Sequence, residues 1–427
     1  MKKPLRSDKN QKRFKRERAK GTFFFRAGSV IMKKNAHGRL AFELVHGAGD
    51  AALGGGSKMK ERGFVSPGQY IQGQGVLNRL HEFTAPLGMR CLVILSAGGA
   101  KRLAGALKEN QAAAPEQTFE QAVFAGECCR GEIDRLTALA KEKDAQVIVG
   151  IGGGKVLDTA KAVAHYAALP VVVAPTTASS DAPCSALSVV YHEDGSLDML
   201  LHLKRNPDVV LVDSGVIVTA SPRLFAAGMG DAMATYFEMR ACYRNDQLNH
   251  IGRKITLTAE AIAAKCAEVL FADGPLAYDA VTVHACTRPV EHVIEANTLM
   301  SGLGFESGGI GAAHPINNGL AELPATHSYY HGEKVAFALI AQLVLEHAPQ
   351  EEIEKVLAFH TRVGLPVTLS GLGIETLTQE ELSMVASIAN ADPCTHRLPV
   401  EVDEAAIAAA VVTADALGKR WLEKGKL

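Results

Sequence analysis

The sequence has no run of eighteen or more consecutive apolar residues, the length a membrane-crossing helix needs. Its N-terminus is basic and lacks the apolar segment of a secretory signal, so a cytoplasmic protein with no membrane partner is expected. Cysteine occurs eight times, at 91, 128, 129, 184, 242, 266, 286 and 394, but never as CxxC and in no regular framework. That excludes a disulfide scaffold and a cysteine-built zinc site, and leaves reduced thiols. With 47% hydrophobic and 21% charged residues, the 427-residue chain is not disordered throughout; it fits one large globular domain or two ordinary ones.

Charge is unevenly spread. Residues 1–58 carry 15 Lys or Arg against 4 Asp or Glu, a balance of +11, and the remainder carries 30 against 42, or −12. The first twenty residues hold ten of the basic side chains, and residues 47–57 (GAGDAALGGGS) have the composition of a flexible linker. Residues 1–58 are therefore expected to be a basic and mostly disordered extension. Two readings stay open: an arm for RNA or an anionic membrane, or residues outside the functional protein, with Met59 as its start. The second is preferred, and nucleic acid is not an expected partner.

From Val65 the pattern turns regular. Residues 91–95 (CLVIL), 147–151 (VIVGI), 171–174 (VVVA) and 209–212 (VVLV) are short β-branched runs bounded by Gly, Pro, Asp or Ser, the signature of buried strands. Helix-like stretches lie between them, at 131–143 and 158–168. This alternation predicts a parallel-sheet α/β nucleotide-binding domain over 59–220. After Pro222 the strands stop and Ala-rich amphipathic segments follow, at 231–243, 253–271, 335–347 and 404–423. An all-helical domain over 221–427 is expected.

Residues 150–155 (GIGGGK) close the second of these strands, with Asp158 and Lys161 on the helix that follows. Consecutive glycines let backbone N–H groups at a helix start approach a pyrophosphate. The segment is not a Walker-type loop, because Val149 and Val156 stand where Gly and Ser or Thr are required, and it departs from GxGxxG. A tight turn without a ligand is the competing reading. Thr176, Thr177, Ser179, Ser180 and Asp181 follow the next strand, at the carboxyl end where open α/β sheets bind ligands, although a plain polar loop has the same composition. In the helical half, Asp231, His314 and His331 stand in glycine-rich or aromatic surroundings. One carboxylate and two imidazoles suit zinc with a coordination position left for substrate oxygen. An isolated Asp is as readily a helix cap, and 15 histidines occur in the chain.

SPGQYIQG (66–73), GIGGGKVLDTAK (150–161), APTTASSDAPCSALSVVY (174–191), AAGMGDAMATYFE (226–238), IEANTLMSGLGFESGGIGAAH (294–314) and YYHGEKVAF (329–337) follow one another along the chain. On these six segments the stretch from about Ser66 to Glu423 resembles the glycerol dehydrogenases, within the metal-dependent polyol dehydrogenases often called iron-containing alcohol dehydrogenases. The resemblance implies an N-terminal dinucleotide-binding domain, a helical domain, and a cleft between them holding metal and nicotinamide. It matches Asp231, His314 and His331 to the family's zinc ligands. Gly153, Gly154, Lys155 and Asp158 match the pyrophosphate segment, and Thr176, Thr177, Ser179, Ser185, Leu187 and Tyr191 match other NAD contacts. Asp181 matches the residue that orients the polyol, alongside His314 and His331.

The implied activity is oxidation of glycerol and related vicinal diols to the ketone, with hydride passing to NAD and one Zn2+ per subunit, in a homo-oligomer, possibly an octamer. Iron-dependent relatives add a histidine one turn after the ligand aspartate; Thr235 stands there, which favours zinc. Glycerol-1-phosphate or another polyol is the alternative substrate on this scaffold, and a non-catalytic binding protein using the basic arm is the alternative from another class. The family's usual aspartate at the end of the first nucleotide-binding strand is replaced by Ser96, or by Ala97 if the register slips by one, with Lys101 and Arg102 close behind. NAD is expected as the main cofactor, with weaker discrimination against NADP.

Overall fold

The computed structural model describes residues 60–193 and 195–425, together with two strands, Val30–Lys34 and Leu40–Leu44. The chain divides into two units, Met1–Met59 and Lys60–Leu427. In the first, the two strands pair antiparallel; otherwise the expectation of disorder for residues 1–58 lies outside the described residues.

The second unit opens on a six-stranded sheet in the spatial order Gln69–Gly73, Val209–Asp213, Val171–Pro175, Val147–Gly152, Arg90–Leu95, Thr118–Val123, with every pair parallel. The four central strands are the β-branched runs of the sequence, each longer by one residue at one end. Burial on both faces explains their continuous apolar character. Along Arg90–Leu95, Leu92 and Ile94 join the large core that continues into the helical region, while Cys91, Val93 and Leu95 form a second cluster on the opposite face. The two edge strands escaped the sequence reading because Gln69–Gly73 is only partly buried and Thr118–Val123 exposes most of its side chains. A separate antiparallel hairpin, Leu187–Tyr191 with Leu197–His202, was also unforeseen.

The chain passes from Arg90–Leu95 outward to Thr118–Val123, then returns to Val147–Gly152 on the other side of Arg90–Leu95. That reversal is the topological switch point, where the carboxyl ends of adjacent strands leave a crevice. Ser96 follows one of these strands and Gly153 the other. Leu95 pairs with Ile151 in register, so both turns open at the same end of the sheet.

After Val209–Asp213 the described chain is helical. Pro222 sits in the first turn of Pro222–Arg244, where its missing N–H costs nothing. Thr256 caps Leu257–Thr282 by accepting from Ala259 N–H, and Asp403 caps Glu404–Lys424 by accepting from Ala406 N–H. Glycines bring backbones together where the helices cross. A Cβ on Gly332 would lie 1.8 Å from the Ala227 carbonyl oxygen, and one on Gly230 would lie 2.5 Å from that of Gly332. Helices Pro222–Arg244 and His331–Leu345 therefore touch main chain to main chain. No described helix is long and apolar enough to cross a membrane, and all eight cysteines are free thiols.

Candidate functional site

Asp231 lies in the middle of Pro222–Arg244, His331 opens His331–Leu345, and His314 is the second residue of Ala313–Ala321. Glu333 sets the start of the His331 helix: its carboxylate accepts from Tyr330 N–H at 2.7 Å and is gripped by Arg223 at 2.6 and 2.8 Å. Asp231 Oδ1 is 3.2 Å from His331 Nε2 and 3.4 Å from His314 Nε2. One ligand atom from each of the three lies within 4.8 Å of the others. Asp231 is buried, His314 half-buried and His331 exposed, so the cluster has a closed floor and an open side.

Asp231 Oδ1 is enclosed yet makes no hydrogen bond of good geometry. A buried carboxylate oxygen that faces two imidazole nitrogens without forming a well-aligned hydrogen bond to either is what a divalent cation would complete. The protein groups alone polarise one another. Burial opposes ionisation of Asp231, but the two imidazoles hold its carboxyl below the usual carboxylate range. Burial also opposes a charged His314, yet the Glu238 and Asp231 carboxylates raise it well above an ordinary histidine.

Asp181 is half-buried; burial, followed by repulsion from Asp231, pushes its carboxyl up to about 7. Its loop is pressed against the helices. A Cβ on Gly302 would lie 3.2 Å from the Asp181 carbonyl oxygen, and one on Gly228 would lie 1.9 Å from that of Ala178, which also accepts from Asn297 Nδ2 at 2.9 Å. The sheet-end loop and the metal-type cluster are thus joined through small residues.

The glycine segment divides into two kinds. Gly150 and Gly152 are packing residues: an added Cβ would meet Ala160 at 2.5 Å and Val156 at 2.7 Å. At Gly153 it would meet nothing within 4 Å, and at Gly154 only Ser180 Oγ at 3.9 Å. These two start helix Gly154–Ala167 with open space beside their backbone, so internal packing does not account for them. Of the other residues singled out by sequence, Thr176 is buried and its N–H donates to the Gly152 carbonyl at 3.0 Å. The Thr177 and Ser179 hydroxyls are 3.1 Å apart. Lys155 is exposed, 2.5 Å from Glu127 and 5.7 Å above the Tyr191 ring.

Asp158 is engaged internally. One oxygen is 3.0 Å from Lys161 Nζ and the other accepts from Val189 N–H at 3.2 Å. Lys161, whose side chain has no exposure, donates to the carbonyls of Ala182, at 2.7 Å, and of Leu187, with the Ser185 carbonyl at 3.4 Å. It is a clamp on the loop that precedes Tyr191, and its role was not legible in sequence. The i to i+3 spacing from Asp158 is the only trace. Glu238 was missed as well: it is fully buried, two turns from Asp231 on the same helix, and its Oε2 lies 2.6 Å from His314 Nδ1.

A parallel nucleotide-type sheet joined to a helical region that gathers one carboxylate and two imidazoles defines an α/β enzyme scaffold with a candidate metal site. The family model for iron-containing alcohol dehydrogenases matches residues 67–214. Glycerol dehydrogenase from Escherichia coli O6:H1 is 47% identical over 372 residues, spanning 85% of this chain and 99% of the relative. A probable glycerol dehydrogenase from Sinorhizobium meliloti superposes with a TM-score of 0.79 at 40% identity, over 84% of this chain and 99% of that one. The Schizosaccharomyces pombe glycerol dehydrogenase structure gives 0.81 at 35%, over 86% and 93%. The chain belongs to the glycerol dehydrogenases of the iron-containing alcohol dehydrogenase family.

Proposed function

We propose that the protein oxidises glycerol and related vicinal diols at a secondary hydroxyl, with NAD as hydride acceptor and zinc as the resident metal. The convergence of Asp231, His314 and His331, with an orphaned carboxylate oxygen at its centre, carries this reading. In it, residues 59–220 bind the dinucleotide and residues 221–427 bind metal and substrate. A zinc ion held by these three side chains would supply Lewis-acid polarisation of a substrate hydroxyl, and NAD would supply the hydride acceptor. Thr235, where iron-dependent relatives have a further imidazole, is committed to a 2.9 Å contact with Ser301 Oγ and to packing beside Gly304, which supports zinc over iron.

The chain's own residues would provide the rest. The backbone at Gly153 and Gly154, with open space beside it at the start of a fourteen-residue helix, would receive a pyrophosphate. Thr176, Thr177 and Ser179 line the next sheet-end turn, and Lys161 keeps the backbone of Ser185 and Leu187 in place before Tyr191. Asp181 accepts a hydrogen bond from the diol and orients the reacting carbon, a positioning role rather than that of a general base.

The test is steady-state oxidation of a diol panel with NAD and NADP, before and after chelation and with zinc restored. Diol-dependent NAD reduction, lost on chelation and recovered with zinc, is expected. No turnover of any vicinal diol with either nucleotide would sink the proposal. Assembly into a homo-oligomer, with an octamer as the form to look for, is proposed with it and is checked by light scattering.

A further inference from the structure

The segment that carries His314 is held by two buried side chains from different helices. Glu238 Oε1 accepts from the N–H groups of Gly311 and His314, both at 3.1 Å, and Oε2 meets His314 Nδ1 at 2.6 Å. Gln342, also fully buried, accepts from the intervening N–H groups of Ala312 and Ala313 at 2.8 Å each, and its amide donates to Glu346 at 2.6 Å. Four consecutive backbone donors are thereby satisfied, Gly311 just before the helix and Ala312, Ala313 and His314 at its start, where helix geometry leaves N–H groups without a partner. None of these acceptors is backbone.

An ionised carboxylate can only accept. To bind a metal His314 must give up a proton, and with Glu238 Oε2 2.6 Å from Nδ1 the proton that stays is the one on Nδ1, so Nε2 would present its lone pair toward Asp231 and His331. We infer that Glu238 is a positioning residue that fixes the tautomer and place of His314 for metal binding, with Gln342 bracing the same segment. The inference rests on the reading of Asp231, His314 and His331 as a zinc site.

A nearly isosteric change at Glu238 should therefore have an unusually large effect. Both Glu238 oxygens are in use, whereas the amide of Glu238→Gln has one. Its oxygen is best placed against the two backbone N–H groups, which turns the NH2 toward His314 Nδ1. That nitrogen must then accept, the proton moves to Nε2, and the lone pair is lost from the metal side. Outer partners of metal-bound histidines are typically worth roughly 10–100-fold in metal affinity.

The experiment measures zinc affinity of the full chain by competition with a chromophoric chelator, beside thermal midpoints of the metal-free proteins. Wild type should bind one equivalent. Glu238→Gln should bind roughly 10–100-fold more weakly, with a metal-free midpoint within a few degrees of wild type. Unchanged zinc affinity in Glu238→Gln would overturn the positioning role and leave the metal site standing. A wild type that binds no zinc would instead overturn the metal reading beneath it. Should the variant fail to fold, nitrogen-15 histidine NMR of the zinc-loaded wild type decides. A hydrogen-bonded proton on His314 Nδ1 is expected, and its absence would overturn the inference.

Discussion

Ser96 shows how one side chain can be read at two levels. It ends strand Arg90–Leu95 and caps the next helix by accepting from Gly99 N–H at 3.0 Å. Aspartate caps as well as serine, so Ser96→Asp keeps the local fold while adding a charge at the switch point. The substitution should raise the ratio of catalytic efficiencies with NAD over NADP by about 10-fold or more, the scale of one charge-assisted hydrogen bond. An unchanged ratio would show that position 96 does not set the choice between NAD and NADP. His331 gives a second case. It is the most exposed of the three proposed ligands, with 48% of its side chain accessible, so His331→Ala removes little packing. Zinc affinity should fall at least about 100-fold, more than loss of an outer partner costs, and diol oxidation with it; retained stoichiometric zinc and turnover would refute the assignment. Asp231, His314 and His331 stood out in sequence by their surroundings, but only the resemblance joined them in one site, since 83 and 17 residues separate them and neither interval has helical meaning. Glu238 stayed hidden for a related reason: its partner lies 76 residues away, and glutamate on a helix is ordinarily solvated.

Among elements, legibility followed burial. The central strands announce themselves because both faces are apolar, whereas Thr118–Val123 lies at an edge and reads as loop. Helix starts were less legible than helix bodies: the sequence placed one at Asp231, and the structure begins it at Pro222. The nine residues gained include Gly228, whose contact with the Ala178 carbonyl ties the helix to the sheet-end loop. Glycine at the helix crossings gives a sharp contrast. Gly332→Ala drives a methyl into the Ala227 carbonyl, with no flexible atom able to give way, and should lower stability by at least about 3 kcal/mol. Gly105→Ala, on an exposed helical turn with nothing within 4 Å, should be neutral or stabilising by up to about 1 kcal/mol. Urea midpoints of the two variants, compared at equal slope, check both. Near-equal midpoints would mean that the crossing relaxes.

At the scale of the whole molecule, the first described tertiary contacts of Lys60–Leu427 begin just after Met59. Glu61 pairs with Arg253 at 3.0 Å, and the Arg62 guanidinium donates to the Ile255 carbonyl at 2.5 Å. A chain started at Met59 keeps these contacts and every proposed site residue, so turnover and thermal midpoint should match those of the full chain. Loss of soluble, active enzyme would show that residues 1–58 support the fold. Fold class was legible because the shift from strand-and-helix alternation to helices alone is a long-range pattern that no single residue decides. The enclosed Lys161 ammonium bears on time as well as shape. Because it gathers the carbonyls of Ala182, Ser185 and Leu187 from inside the protein, the loop is ordered before a nucleotide arrives. Capture then needs no ordering step of its own. Stopped-flow traces should accordingly show one phase whose rate rises linearly with nucleotide concentration, and a rate that levels off would reveal that the loop must first find its place.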